Sequence, residues 1–202
     1  ALEILDQLLE RGPDSVPGLL AKIDVLVAQR QYDAAIKLTD SLIELQPDSA
    51  EGYYRKARLL QEQGDINAAL KYYDTAIEKD PQSEQVLTEL TKLSISSGRT
   101  DEVRARLQRL LETDAEHPSA NGLIGLMYAN EKDLANADKA FSRQIEITPD
   151  NAEGYSRLAQ ARTAQENFDG AAAAFDAGLK VLPGNPQLLI GLAGVLERQQ
   201  DY

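Results

Sequence analysis

The sequence predicts an all-α protein built as an α-solenoid of helix–turn–helix repeats, and three observations carry that reading. Pro13, Pro47, Pro81, Pro149 and Pro183 stand at intervals of 34, 34, 68 and 34 residues, with Ala115 at the skipped beat. Apolar residues recur at steps of three and four, as in Tyr53, Ala57 and Leu60, and nowhere alternate in twos as a half-buried strand would require. Ser15, Ser49, Ser83, Asn151 and Asn185 recur at one place just ahead of a helix, where a side-chain oxygen accepts an orphan backbone N–H; His117 takes that place once.

The period divides the 202 residues into a half repeat (1–15), five full repeats (16–49, 50–83, 84–117, 118–151 and 152–185) and a second half repeat (186–202). It predicts one domain of twelve antiparallel helices, with no linker and no tail. The opening half is a helix from Ala1 to about Leu9, on which Ala1, Leu5 and Leu9 share a face. Pro13 closes it by withholding a donor and forcing the residue before it out of the helical region. Each full repeat then supplies two helices whose axes approach to about 8–10 Å only where the crossing residues are small. Repeat 16–49 sets Ile23 against Ala35, and repeat 50–83 sets Ala57 against Ala69 and Tyr73. Repeat 84–117 is the most degenerate, with Thr91, Ser94, Thr100, Val103 and Ala115 at its packing and turn places. Repeats 118–151 and 152–185 cross Gly125 with Ala137 and Ala159 with Ala171, and Phe141 and Phe175 fill the space around them. The column Leu9, Ile43, Ile77, Leu111, Ile145 and Leu179 is apolar throughout, as a stripe against the next repeat should be. The final half is a first-type helix from Pro186 to Tyr202, carrying Ala193 in the small column.

Composition narrows function. With 43% hydrophobic and 27% charged residues the chain is of the soluble class, and the net charge of −12 repels nucleic acid and anionic lipid alike. There is no cysteine and a single histidine, so no disulfide framework, metal site, cofactor or catalytic site is expected. The most apolar run, Leu188 to Leu196, is too short to span a bilayer, and no basic leader opens the chain. A cytoplasmic or a periplasmic setting fits equally.

The chain resembles the tetratricopeptide repeat family over its whole length. In 152–185 the family pattern is matched by Tyr155, Leu158, Ala159, Phe168, Ala171, Phe175 and Pro183, and in 50–83 by Tyr53, Ala57, Leu60, Gly64, Ala69, Tyr73, Ala76 and Pro81. Arg162 and Lys56 depart from it, standing where the family has Tyr and Leu. The resemblance implies a right-handed solenoid that acts as a non-catalytic scaffold for a protein or peptide segment, as part of a longer bacterial array. The alanine-rich units are also similar to repeats of bacterial secretion systems, which implies a second role, an envelope scaffold in exopolysaccharide assembly or export. Leu20, Tyr54, Asp24 and Arg58 occupy the places of the Lys and Asn with which chaperone-binding members clamp a carboxylate, so that mode is not expected.

In a solenoid the first helices line the concave face. The second, fifth, ninth and twelfth places of each repeat form the stripe turned away from the partner helix. From this stripe and its border the candidate peptide-binding residues are Tyr54, Arg55, Arg58, Lys92, Ile95, Leu126 and Gln160. They combine one aromatic, apolar residues without an evident packing duty, and cations in an acidic chain. Leu20, Val27 and Ile190 are further apolar members of the stripe. Tyr53, Tyr73, Tyr128, Phe141, Tyr155, Phe168 and Phe175 fall on packing columns instead, and His117 reads as a cap. Leu2, Leu5, Leu8 and Leu9 at one end, and Leu189, Leu192, Val195 and Leu196 at the other, are expected to lack partners. Weak head-to-tail self-association through 1–15 and 186–202 would follow.

Overall fold

The computed structural model describes residues 2–200; Ala1 and residues 201–202 of the expected first and last helices lie outside them. The described residues contain twelve α-helices and no strand. They divide into two compact units, one ending at Ser97 and one beginning at Gly98. The first holds α1 (Leu2–Arg11), α2 (Val16–Ala28), α3 (Tyr32–Leu45), α4 (Ala50–Glu62), α5 (Ile66–Lys79) and α6 (Glu84–Ser97). The second holds α7 (Asp101–Thr113), α8 (Pro118–Asn130), α9 (Leu134–Ile147), α10 (Ala152–Ala164), α11 (Phe168–Val181) and α12 (Pro186–Gln200). Within each unit consecutive helices pack together.

The helices start where capping chemistry places them. Ser15 Oγ accepts the N–H of Gly18, Asn151 Oδ1 that of Gly154 and Asn185 Oδ1 that of Leu188, at 3.3, 3.2 and 3.2 Å. His117 caps α8 through Nδ1, which accepts the Ala120 N–H at 3.2 Å. Second helices are capped too, by Asp65, Asp133 and Asn167, each accepting the N–H three residues on. The turn ahead of them has a fixed device that the sequence conceals. Arg30, Gly64, Gly98, Lys132 and Glu166, 34 residues apart, all adopt positive φ between 57° and 83°, and only two of the five are glycine.

The small columns pack as expected. Ile23, Ala35, Ala57 and Ala69 in the first unit, and Val103, Ala137, Ala159 and Ala171 in the second, are at most 3% exposed. Ala193, the last of its column, is exposed. The apolar stripe on the second helices meets the next repeat at a glycine: a Cβ on Gly52 would stand 2.8 Å from Ile43, and one on Gly154 2.8 Å from Ile145. Ile23, Leu26, Ala35, Leu42 and Leu59 form one core cluster, with Leu2, Leu20 and Val27 packed against it. Ala137, Phe141, Tyr155, Phe175, Leu188 and Val195 belong to another, against which Leu126 and Leu192 pack. Burying a side chain of this size contributes about 1.5–3 kcal/mol.

Two expectations about the ends need correction. Val195 is 5% exposed and Leu192 and Leu2 touch a core cluster, because α12 has α10 and α11 to pack on and α1 has α2. On α1 and α12 the large apolar residues left exposed are Ile4, Leu8, Leu189, Ile190 and Leu196.

The departures from the family pattern are ion pairs that tie three helices. Lys56 on α4 pairs with Asp40 of α3 and lies 4.5 Å from the centre of the Tyr72 ring of α5. Arg162 on α10 donates from Nε to Asp138 of α9 at 2.6 Å and from Nη1 to the Gly170 carbonyl of α11 at 3.1 Å. Burial opposes the Lys56 charge, yet Asp40 and the Tyr72 hydroxyl more than offset it and hold the pKa above its ordinary value.

Candidate functional site

The first unit carries Tyr54, Arg55, Arg58, Lys92 and Ile95. Tyr54 is no exposed handle: it is 7% exposed, its hydroxyl accepts a hydrogen bond from Gln85 Nε2 at 2.7 Å, and its ring tilts against Tyr73 at 6.0 Å. In two repeats the fifth place is tucked under the second place of the next: Tyr54 under Gln85, and in the second unit Ser156 under Gln187, whose Nε2 donates to the serine hydroxyl at 2.9 Å. This contact buries part of the stripe that helical spacing alone leaves open. An aromatic platform for a sugar is thereby closed at Tyr54.

The cations separate into two kinds. Arg55 is structural, bridging Glu51 on its own helix and Asp24 of the preceding repeat. Burial opposes its charge, and the two carboxylates overcome that and raise its pKa. Arg58 is exposed, stands 5.9 Å from the centre of the Tyr54 ring and has no ion pair among the described residues. Lys92 is exposed as well, 3.3 Å from Glu89 one turn before it. Both occupy the ninth place of their repeats, so α4 and α6 present a positive charge at equivalent points. Ile95, one turn beyond Lys92, is half-buried.

A cleft of about 330 Å³ that the sequence did not signal opens beside Tyr54, lined by Asp48, Glu51, Lys79, Asp80 and Gln85 among others. Three of those five are carboxylates, and Lys79 is held by Asp48 at 2.9 Å, so the cleft itself is not a site for an anion.

The second unit carries Leu126 and Gln160. Leu126 is half-buried against the core cluster, so it has the packing duty that spacing did not reveal. Gln160 is exposed at the ninth place of α10 and borders a groove shared with α12. His117 is 6% exposed and occupied as a cap. No helix among the described residues is long and apolar enough to cross a membrane.

Comparison with known proteins gives a consistent picture. Three tetratricopeptide repeat family models match: one over residues 20–84 and 156–202, more than half of the chain, one over 60–126 and one over 118–151. The heat shock protein sti1 homolog of Schizosaccharomyces pombe is 43% identical over 68 residues, a stretch that is 34% of this chain and only 12% of that protein's length. A tetratricopeptide repeat protein from Parabacteroides merdae superposes with a TM-score of 0.71 at 16% identity, over 99% of this chain and 79% of its own. TTC0263 from Thermus thermophilus does so with a TM-score of 0.64 at 21% identity, over 89% and 98%. YrrB, described as having an unusual peptide-binding site, gives 0.58 at 18% identity, over 94% and 97%. At these identities the likeness is one of fold.

Proposed function

The chain belongs to the tetratricopeptide repeat family, and from that premise we propose that it is a non-catalytic scaffold that binds a protein or peptide segment along the stripe of its first helices. The observation that carries the reading is the pair Arg58 and Lys92: two exposed cations at equivalent places of successive repeats, in a chain of net charge −12. A backbone carbonyl or carboxylate of an extended segment is the complementary group, since charge-assisted hydrogen bonds are about twice as strong as neutral ones. Arg55, one turn before Arg58, is engaged by Asp24 and Glu51, so its charge is already matched within the chain. The peptide-binding site of YrrB supports the reading only by analogy of fold.

Affinity capture with the wild-type chain and with an Arg58→Glu, Lys92→Glu double variant tests this. Partners should be lost from the variant while its circular dichroism stays helical. Survival of every partner would exclude the pair as the site. We further propose weak head-to-tail self-association between residues 1–15 of one copy and 186–202 of another.

A further inference from the structure

In the second unit a groove of about 380 Å³ runs between α10 and α12, walled by Gln160 and Thr163 on one side and by α12 on the other, with Phe175 of α11 reaching between them. Its size lies at the lower end of the range for ligand pockets, about 300–1,000 Å³. Two glycines of α12 line it, and they differ in kind. A Cβ on Gly191 would run into the Phe175 ring, so packing demands glycine there. A Cβ on Gly194 would meet nothing within 4 Å. Glycine inside a helix weakens it relative to alanine, and no neighbour of Gly194 requires that weakness. What the missing side chain leaves is the open groove.

Arg198, one turn beyond Gly194, also lines the groove, is exposed and has no ion pair among the described residues. The net charge of −12 would repel an acidic ligand at long range, but salt screens that field beyond about 8 Å, so the nearest charge decides. We propose that this groove takes one aliphatic side chain of an extended peptide, with Arg198 holding a carboxylate on the residue next to it. The proposal rests on the peptide-scaffold reading and names the partner's chemistry: an aliphatic residue adjoining Asp or Glu.

The probe is the capped peptide acetyl-Gly-Ser-Gly-Leu-Glu-Gly-Ser-Gly-amide, titrated into the ¹⁵N-labelled chain and followed by amide shifts. Gly191, Gly194 and Val195 should move saturably. Serine in place of leucine should weaken binding about tenfold or more, since an apolar pocket loses the whole side chain. Gly194→Leu should abolish the response and Gly194→Ala, the milder filling, should weaken it, with helicity kept or raised in both. Arg198→Glu should reverse the preference in favour of the peptide with lysine for glutamate. Still groove amides, equal binding of the leucine and serine peptides, or an unaltered response in both Gly194 variants would each overturn the proposal. The Arg58 and Lys92 capture experiment reads the scaffold separately: partners lost there as expected, with silence here, overturn the groove alone.

Discussion

Ala137 and Lys139 lie two residues apart on α9, yet one is fully buried at a helix crossing and the other exposed. Enlarging the first should be felt and enlarging the second should not. Ala137→Leu should overpack the crossing and lower stability by about 1–3 kcal/mol, whereas Lys139→Leu should stay within about 0.5 kcal/mol of wild type. Urea unfolding of the two variants checks this, and equal midpoints would contradict the packing scheme. These places were legible because small residues recur at the 34-residue period. Tyr53 and Tyr54 were not: spacing assigns the first to the core and the second to the open stripe. In the fold Tyr53 is half-buried with its hydroxyl on the Pro47 carbonyl at 3.1 Å, while Tyr54 is buried. Tyr54 meets Tyr73 of the partner helix and Gln85 of the next repeat, and no pattern confined to one helix contains either.

At the scale of the element, the turn inside each repeat is held by one residue of positive φ. L-residues pay about 1–2 kcal/mol in that region and glycine does not. Gly64 adopts φ 83°, and a Cβ placed on it would meet nothing within 4 Å, so Gly64→Ala should cost about 1–2 kcal/mol through the backbone alone. Lys132 at φ 63° sits at the equivalent turn of the second unit, and Lys132→Gly should stabilise by up to about 1 kcal/mol, less what the freer unfolded chain takes back. Melting temperatures moving in opposite directions would bear this out; shifts of the same sign would not. First-helix caps could be read because Ser and Asn recur at them. The turn residue could not, since Arg30, Lys132 and Glu166 carry no chemical mark of a left-handed conformation.

For the molecule as a whole, the period reaches from one end to the other, and the twelve described helices follow it. What it cannot express is the division at Ser97 and Gly98, which falls inside the degenerate repeat 84–117. There Thr91 and Ser94 bury hydroxyls with no hydrogen-bond partner, at places where repeats 50–83 and 152–185 have Ala57 and Leu60, and Ala159 and Arg162. Ile4 and Ile190 are 70% and 73% exposed, on α1 and α12. Light scattering over a wide concentration range should therefore show weak association that Ile190→Glu reduces; a strict monomer throughout would refute it. The ion pairs at Lys56 and Arg162 bear on a different matter, the order of the repeats. A tandem copy of 50–83 would set its Lys56 against Asp74, which holds the same place as Asp40, and the charge would keep a partner. A tandem copy of 152–185 would set its Arg162 against Ala172 in place of Asp138, and the guanidinium would keep the Gly170 carbonyl but lose its carboxylate. Duplication or shuffling of repeats, the ordinary way such arrays lengthen or are engineered, keeps this ion pair in the first case and loses it in the second unless Ala172 changes with it.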